Sequence, residues 1–240
     1  MLLPIKTGFG GFMAGFFSSL APTTPAVQLL MDRPLKKAIM WAPSRMVDAA
    51  EEMLAAWQKN DTDSATTTPP EMPVILVAMA RDYMPTGRDY GRQIAESMPV
   101  MIPGDDKERL FGMRIIAADI RTQVAIFAHD TGTASSIAAQ LALYLDSMAG
   151  RRFPARFTYA GVSHDWPVQV ESPDVPFSNV PTDNKNITIL VGDLTLKASI
   201  PLFDAPKAGA PNDGQGQAGS ATDPAGYPLV VEVTHTENPA

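Results

Sequence analysis

The residues that could do chemistry are few, and each has a plainer use close at hand. Two His-Asp dipeptides stand out, His129-Asp130 and His164-Asp165. An imidazole beside a carboxylate serves a hydrolase only if a nucleophile is presented to it, typically on a strand-to-helix turn of the form G-x-S-x-G. The chain has no such turn; Ser135-Ser136 simply lies one helical turn further on. His129-Asp130 therefore reads as a strand-end polar pair beside a helix cap. His164-Asp165 lies in a loop before Trp166, with no third ligand type nearby to complete a metal site. Asp105, Asp106 and Glu108 could face a divalent cation, but the D-x-D-x-D-G spacing of a calcium loop is absent, and a solvated turn is expected. Gly8-Phe9-Gly10-Gly11 has no strand before it and no Lys-Ser/Thr after it, so it cannot cradle a phosphate. Thr131-Gly132-Thr133 sits where a strand gives way to a helix but lacks a basic partner, and capping is its expected role. Arg151, Arg152 and Arg156, interleaved with Phe153 and Phe157, could stack on bases. In the simpler reading Gly150 ends a helix and the arginines satisfy its last carbonyls. No catalytic residue, metal or cofactor is expected.

Composition narrows the classes further. The 240 residues (25.8 kDa) are 45% hydrophobic and 19% charged, which fits a globular chain of one large or two small domains. The absence of cysteine removes disulfide scaffolds, zinc–thiolate sites and thiol catalysis together. A net charge of −7 disfavours a broad grip on nucleic acid, and the acidity is concentrated in residues 161–240, with three basic and ten acidic groups. The 22 prolines argue against a bundle of long helices. Gly8–Ala21 is apolar but too short and glycine-broken to span a membrane. It has some features of a secretion signal, with Lys6 ahead and Ser19-Leu20-Ala21 at its end. Pro22 after the would-be cut and the single flanking base count against cleavage.

The elements that must position these groups are legible in outline. Residues 1–43 form an apolar N-terminal arm, punctuated by proline, with a short helix from about Ala26 to Met31. The arm cannot bury its own Phe9, Phe12, Phe16 and Phe17, so it must lie on the body, lie on a neighbouring chain or be disordered, and disorder is the costliest of the three. Residues 44–60 form an amphipathic helix with Met46, Val47, Ala50, Met53, Leu54 and Trp57 in one stripe. A polar linker (61–71) precedes an α+β body over 72–204. Within it the pattern predicts a buried strand at Met72–Ala80 and a long polar excursion at Arg81–Asp106. Strands follow at about Leu110–Ala118 and Ile120–His129, then a Thr-capped helix to about Met148. Further strands are expected at Phe153–Tyr159 and Trp166–Glu171, and a hairpin at Asn186–Ile200 turning on Gly192-Asp193. A flexible linker (205–226) leads to a C-terminal strand and tail (227–240), in which Leu229, Val231 and Val233 alternate. The fold class predicted is α+β: a mixed, mostly antiparallel sheet with one helix packed on it, an N-terminal helix and extended terminal arms.

Val124–His129 feeding a Thr-capped helix, then Arg152-Phe153-Pro154-Ala155-Arg156, a Trp166-Pro167 strand and Gly192-Asp193, resembles the neck and tail-terminator ring proteins of tailed bacteriophages. The likeness is one of pattern over residues 72–204. It implies a structural virion protein without catalysis, forming a homo-oligomeric, commonly hexameric, ring at the head–tail junction. Its implied partners are copies of itself and neighbouring tail tube, sheath or connector proteins, with DNA passing through the lumen and no membrane. Phe9, Phe12, Phe16, Phe17, Met84, Met98, Met101, Leu229, Val231 and Val233 are the expected interface residues. Methionine suits adaptable contacts, and an acidic lumen would let DNA pass without sticking. A baseplate or other tail subunit, or a secreted monomeric binding module, are the alternatives.

Overall fold

The computed structural model describes residues 2–42, 72–81, 84–85, 93–104, 110–147, 149–159, 162–182 and 186–204. The amphipathic helix expected at 44–60, both linkers and the C-terminal strand lie outside the described residues.

The protein is α+β, with a mixed, mostly antiparallel sheet and helices packed on it. The helices are α1 (Leu3–Ser19), α2 (Pro25–Met31), α3 (Leu35–Ala38) and α4 (Thr131–Asp146), with a 3-10 turn at Ala149–Arg151. The strands are β1 (Ile39–Trp41), β2 (Val74–Met79), β3 (Met84–Pro85), β4 (Ile94–Met101), β5 (Leu110–Ala128), β6 (Arg152–Tyr159), β7 (Val162–Val170), β8 (Phe177–Asn179) and β9 (Thr188–Asp204). They run in the order β1-β2-β5-β9-β7-β6, with β3 and β4 also on β5 and β8 also on β9. Only β1 with β2 is shown parallel. The chain divides into two compact units: 1–92 with 117–157 and 165–200, and 93–116 with 158–164 and 201–240. Strands β5, β6, β7 and β9 supply residues to both.

In the first unit the sheet is buried on both faces, and every residue of β2 is buried. Trp41, opposite Val77 in the β1–β2 register, meets the ring of Phe9 at 6.2 Å, so α1 covers the face carrying Val77 and Val124. The other face holds a cluster of Val74, Leu76, Ala78, Ala125, Phe127, Ile189 and Val191. Helix α4 begins where β5 ends because the Asp130 carboxylate, in place of the expected threonine cap, accepts the Thr133 N–H at 2.8 Å. Ile137, Ala138, Leu141 and Leu145 form its buried stripe.

Three expectations are corrected here. The described part of the expected arm, residues 2–42, is not extended. Ile5, Phe9, Phe12, Met13 and Phe16 recur with helical spacing along one side of a 17-residue helix and are buried within their own chain. The phenyl rings of Phe9 and Phe12 lie 6.1 and 5.4 Å from Phe153, and Phe12 and Phe16 lie 5.4 and 5.8 Å from Tyr144. The glycines that weaken an isolated helix are what let this one approach the body: a Cβ on Gly8 would stand 2.5 Å from the Pro154 carbonyl oxygen.

The second correction concerns the hairpin. Gly192-Asp193 is no turn but the interior of β9, one continuous strand of 17 residues. The short strand β8 pairs Phe177 with Gly192 and Asn179 with Leu190, while β7 pairs Val168 with Ala198 and Val170 with Leu196. Two partners in succession hold the segment extended. Gly192 makes room for a ring, since a Cβ there would sit 2.8 Å from Phe177. The two strands expected over Leu110–His129 are likewise one, β5, of 19 residues.

Candidate functional site

The second unit contains a ribbon built from β4 and the first part of β5, with Met98 opposite Met113, Pro99 opposite Gly112, Val100 opposite Phe111 and Met101 opposite Leu110. Alternation gives this ribbon two unlike faces. On one, buried Phe111 meets Tyr159 edge-on at 5.2 Å, and Tyr159 stacks on Phe203 at 4.9 Å. Met98 and Val100 continue that face by register. On the other, the missing side chain of Gly112 leaves space taken by Ser97 and Asp204. The Ser97 hydroxyl donates to the Asp204 carboxylate at 3.4 Å, and Arg114 binds the same group at 2.7 Å. A bulge between Ile94 and Met98 shifts the register.

Strand β4 has β5 as its sole strand partner among the described residues. Ala95 to Pro99 and Met101 are exposed, with side chains on both faces of the ribbon in solvent. Met98 is 42% and Met101 58% exposed, large values for apolar side chains on a strand. An edge of this kind offers unpaired backbone groups to another segment, and proteins that keep such an edge free blunt it, here with Pro99.

The expected interface residues thus fall into separate groups. Met98 and Met101 stand exposed together on β4. Phe9, Phe12 and Phe16 are core of the first unit, because Phe153, Tyr144 and Trp41 of the same chain enclose them; they offer no surface to a neighbour. Phe17 is half-buried at the end of α1. The backbone of Met84 pairs with Asp119. Leu229, Val231 and Val233 lie outside the described residues, as do Asp105, Asp106 and Glu108.

The groups with chemical potential have structural work. Asp130 caps α4, and the hydrogen bonds from Thr133 hold its carboxyl below the usual range. The expectation that the arginines near Gly150 satisfy helix carbonyls is corrected for two of them: Arg152 donates to Gln169 at 3.1 Å, and Arg156 forms a two-pronged pair with Asp165 at 2.8 and 3.0 Å. These positions lie across the β6–β7 pair, where opposite residues come within reach. Asp165, Glu171 and Asp204, three of the acidic groups of the last third, are each ion-paired.

Sequence reasoning missed one cluster. Lys197, on β9, is buried and bonds Asp119 of β5 at 2.9 Å and Glu171 at 3.0 Å. Burial pushes its pKa down, but the hydrogen bonds and charges of the two carboxylates push it further up, and it stays protonated. The sequence carried no signal for this cluster, since Lys197 falls with Thr195 and Ser199 in the polar row that alternates with Leu194, Leu196, Ala198 and Ile200. Among the described residues no three His, Asp or Glu side chains gather as metal ligands, and no helix is long and apolar enough to cross a membrane.

No protein-family model matches this chain, and no curated protein is significantly similar to it in sequence.

Proposed function

We propose that the protein is a structural subunit that associates with copies of itself, forming a ring at the head–tail junction of a tailed phage as a tail terminator or neck adaptor. In this reading the ring joins the tail tube or sheath to the connector and lets DNA through. One observation carries the self-association: the β4–β5 ribbon holds Met98 and Met101 in solvent on opposite faces of an edge strand. Soluble monomers avoid such edges or cover them, and methionine adapts to a partner's contour. The assignment to a phage neck rests on the pattern resemblance over 72–204 together with the α+β body. The buried α1 removes exchange of the N-terminal arm from the proposal, and among the described residues the contacts between copies fall to the ribbon.

The burial of Phe9, Phe12 and Phe16 also weighs against the secreted alternative. Cutting after Ala21 would strip α1 from Phe153 and Tyr144 and leave those rings bare. Native mass spectrometry at micromolar concentration tests the reading. Discrete multiples of 25.8 kDa are expected, and Met98→Glu with Met101→Glu should return the chain to a single copy. A wild-type protein that is wholly monomeric would overturn it.

A further inference from the structure

We propose that Met98 and Met101 form a modification site: a peroxide converts both thioethers to sulfoxides, and the modified chain no longer associates with its copies. The inference rests on the self-association reading and deepens it by naming what controls it. The chain has 13 methionines and no cysteine, so all of its reactive sulfur is thioether. Exposure sorts the methionines whose side chains are described. Met13, Met72 and Met79 are buried, and Met31, Met40 and Met113 are partly covered. Met98 and Met101 are the exposed pair, and they stand on one strand.

The chemistry needs access and little else from the protein. A sulfur lone pair attacks one oxygen of hydrogen peroxide, and the S–O bond forms as the O–O bond breaks. The proton left on the sulfur-bound oxygen passes to the departing hydroxide, which leaves as water. Sulfur gives up two electrons, the peroxide takes them, and the product is methionine sulfoxide. A sulfoxide reductase reverses the change, with two thiols going to a disulfide and the oxygen leaving as water. The site can therefore be set and reset.

Position decides the consequence. The unbroken register from Met98 to Met101 sends the two side chains to opposite faces of the ribbon. Met98 shares its face with Val100, across from Met113 and Phe111, so a sulfoxide there sets a strong acceptor oxygen in an apolar row. Met101 does the same on the other face, opposite Leu110. A second copy seated on either face must bury that oxygen, and a buried polar atom without a partner opposes the contact. Both methionines lie outside the buried core, so the added oxygens alter the contact surface and spare the fold. Association through the ribbon also covers both sulfurs, so free copies are the ones modified and the state of the site is fixed before assembly.

The test treats the dilute full chain with hydrogen peroxide, maps sulfoxides by peptide mass, then concentrates the protein for native mass spectrometry. Met98 and Met101 are expected to oxidise at least about tenfold faster than Met13, Met72 and Met79. The doubly oxidised chain should associate about a hundredfold more weakly than the untreated one, with its far-ultraviolet circular dichroism unchanged. Methionine sulfoxide reductase should restore the multiples of the chain mass. Met98→Leu with Met101→Leu keeps apolar bulk without sulfur, and that variant should associate equally well before and after peroxide. Oxidised wild type that associates like the untreated chain overturns the proposal. So does oxidation with no preference for these two residues, or loss of association in the leucine variant on adding peroxide. Failure of the underlying reading looks different: an untreated chain that is monomeric at every concentration ends both, whereas an oxidised chain that still assembles ends this inference alone.

Discussion

Lys197 carries a full charge into a strand whose neighbours are Leu196 and Ala198, and what makes that tolerable is a carboxylate on each side. Removing the ammonium while keeping Asp119 leaves a nearly buried anion without its cation, a change that typically costs about 3–5 kcal/mol. Lys197→Met should therefore lower the urea midpoint sharply, and adding Asp119→Leu should recover most of the loss. A single variant as stable as the wild type would contradict this account. The pH dependence has a definite sign. Because the folded lysine holds its proton more tightly than the unfolded one, its contribution is complete below the ordinary lysine value of about 10.4 and declines as pH rises beyond it. Melting temperatures measured from pH 9 to 11 should fall more steeply in the wild type than in Lys197→Met. Asp130 behaves in the opposite sense: its carboxyl is held low, so its capping contribution is present above about pH 3.8 and disappears on further acidification. Asp130→Ala should cost about 1 kcal/mol near neutrality, read by chemical denaturation, and less at pH 2.

At the scale of elements, α1 shows how one residue type can serve opposite ends. Gly8→Ala drives a methyl group towards the Pro154 carbonyl and should destabilise by about 1–3 kcal/mol. Gly11→Ala meets nothing within 4 Å and should stabilise the helix by up to about 1 kcal/mol. Equal effects at the two sites would refute the close approach. The same helix shows where sequence reading stopped. Strand β2 and helix α4 were legible because their apolar spacing and flanking signals agree: Val74–Met79 is a short buried run, and Ile137, Leu141 and Leu145 recur by fours. Helix α1 was not, because its glycines argue against a helix locally, and its support comes from Phe153 and Tyr144, far away in the chain. Gly192-Asp193 misled for the mirror-image reason. A dipeptide fit for a turn was held extended by β8, a strand of three residues too short to announce itself. Of the candidate site, the exposure of Met98 and Met101 followed from their place in a polar stretch. The Lys197 cluster did not, since pairing Lys197 with Asp119 requires the strand register.

For the whole molecule, the burial of α1 makes the first twenty residues part of the fold. Protein recovered from its natural source is expected to retain Phe9 and Phe16 on N-terminal sequencing, and a chain starting at Pro22 should be insoluble or melt far below the full chain. A well-folded shortened chain would show the helix to be dispensable.

The pairing of Phe9 with Phe153 also sets a schedule for biosynthesis. A ribosome adding on the order of ten residues per second needs more than ten seconds to travel from one to the other. Throughout that interval the emerging chain has a row of phenylalanines ready and no pocket to receive them. Chaperone occupancy of the nascent amino terminus should be high until β6 leaves the exit tunnel and drop soon afterwards.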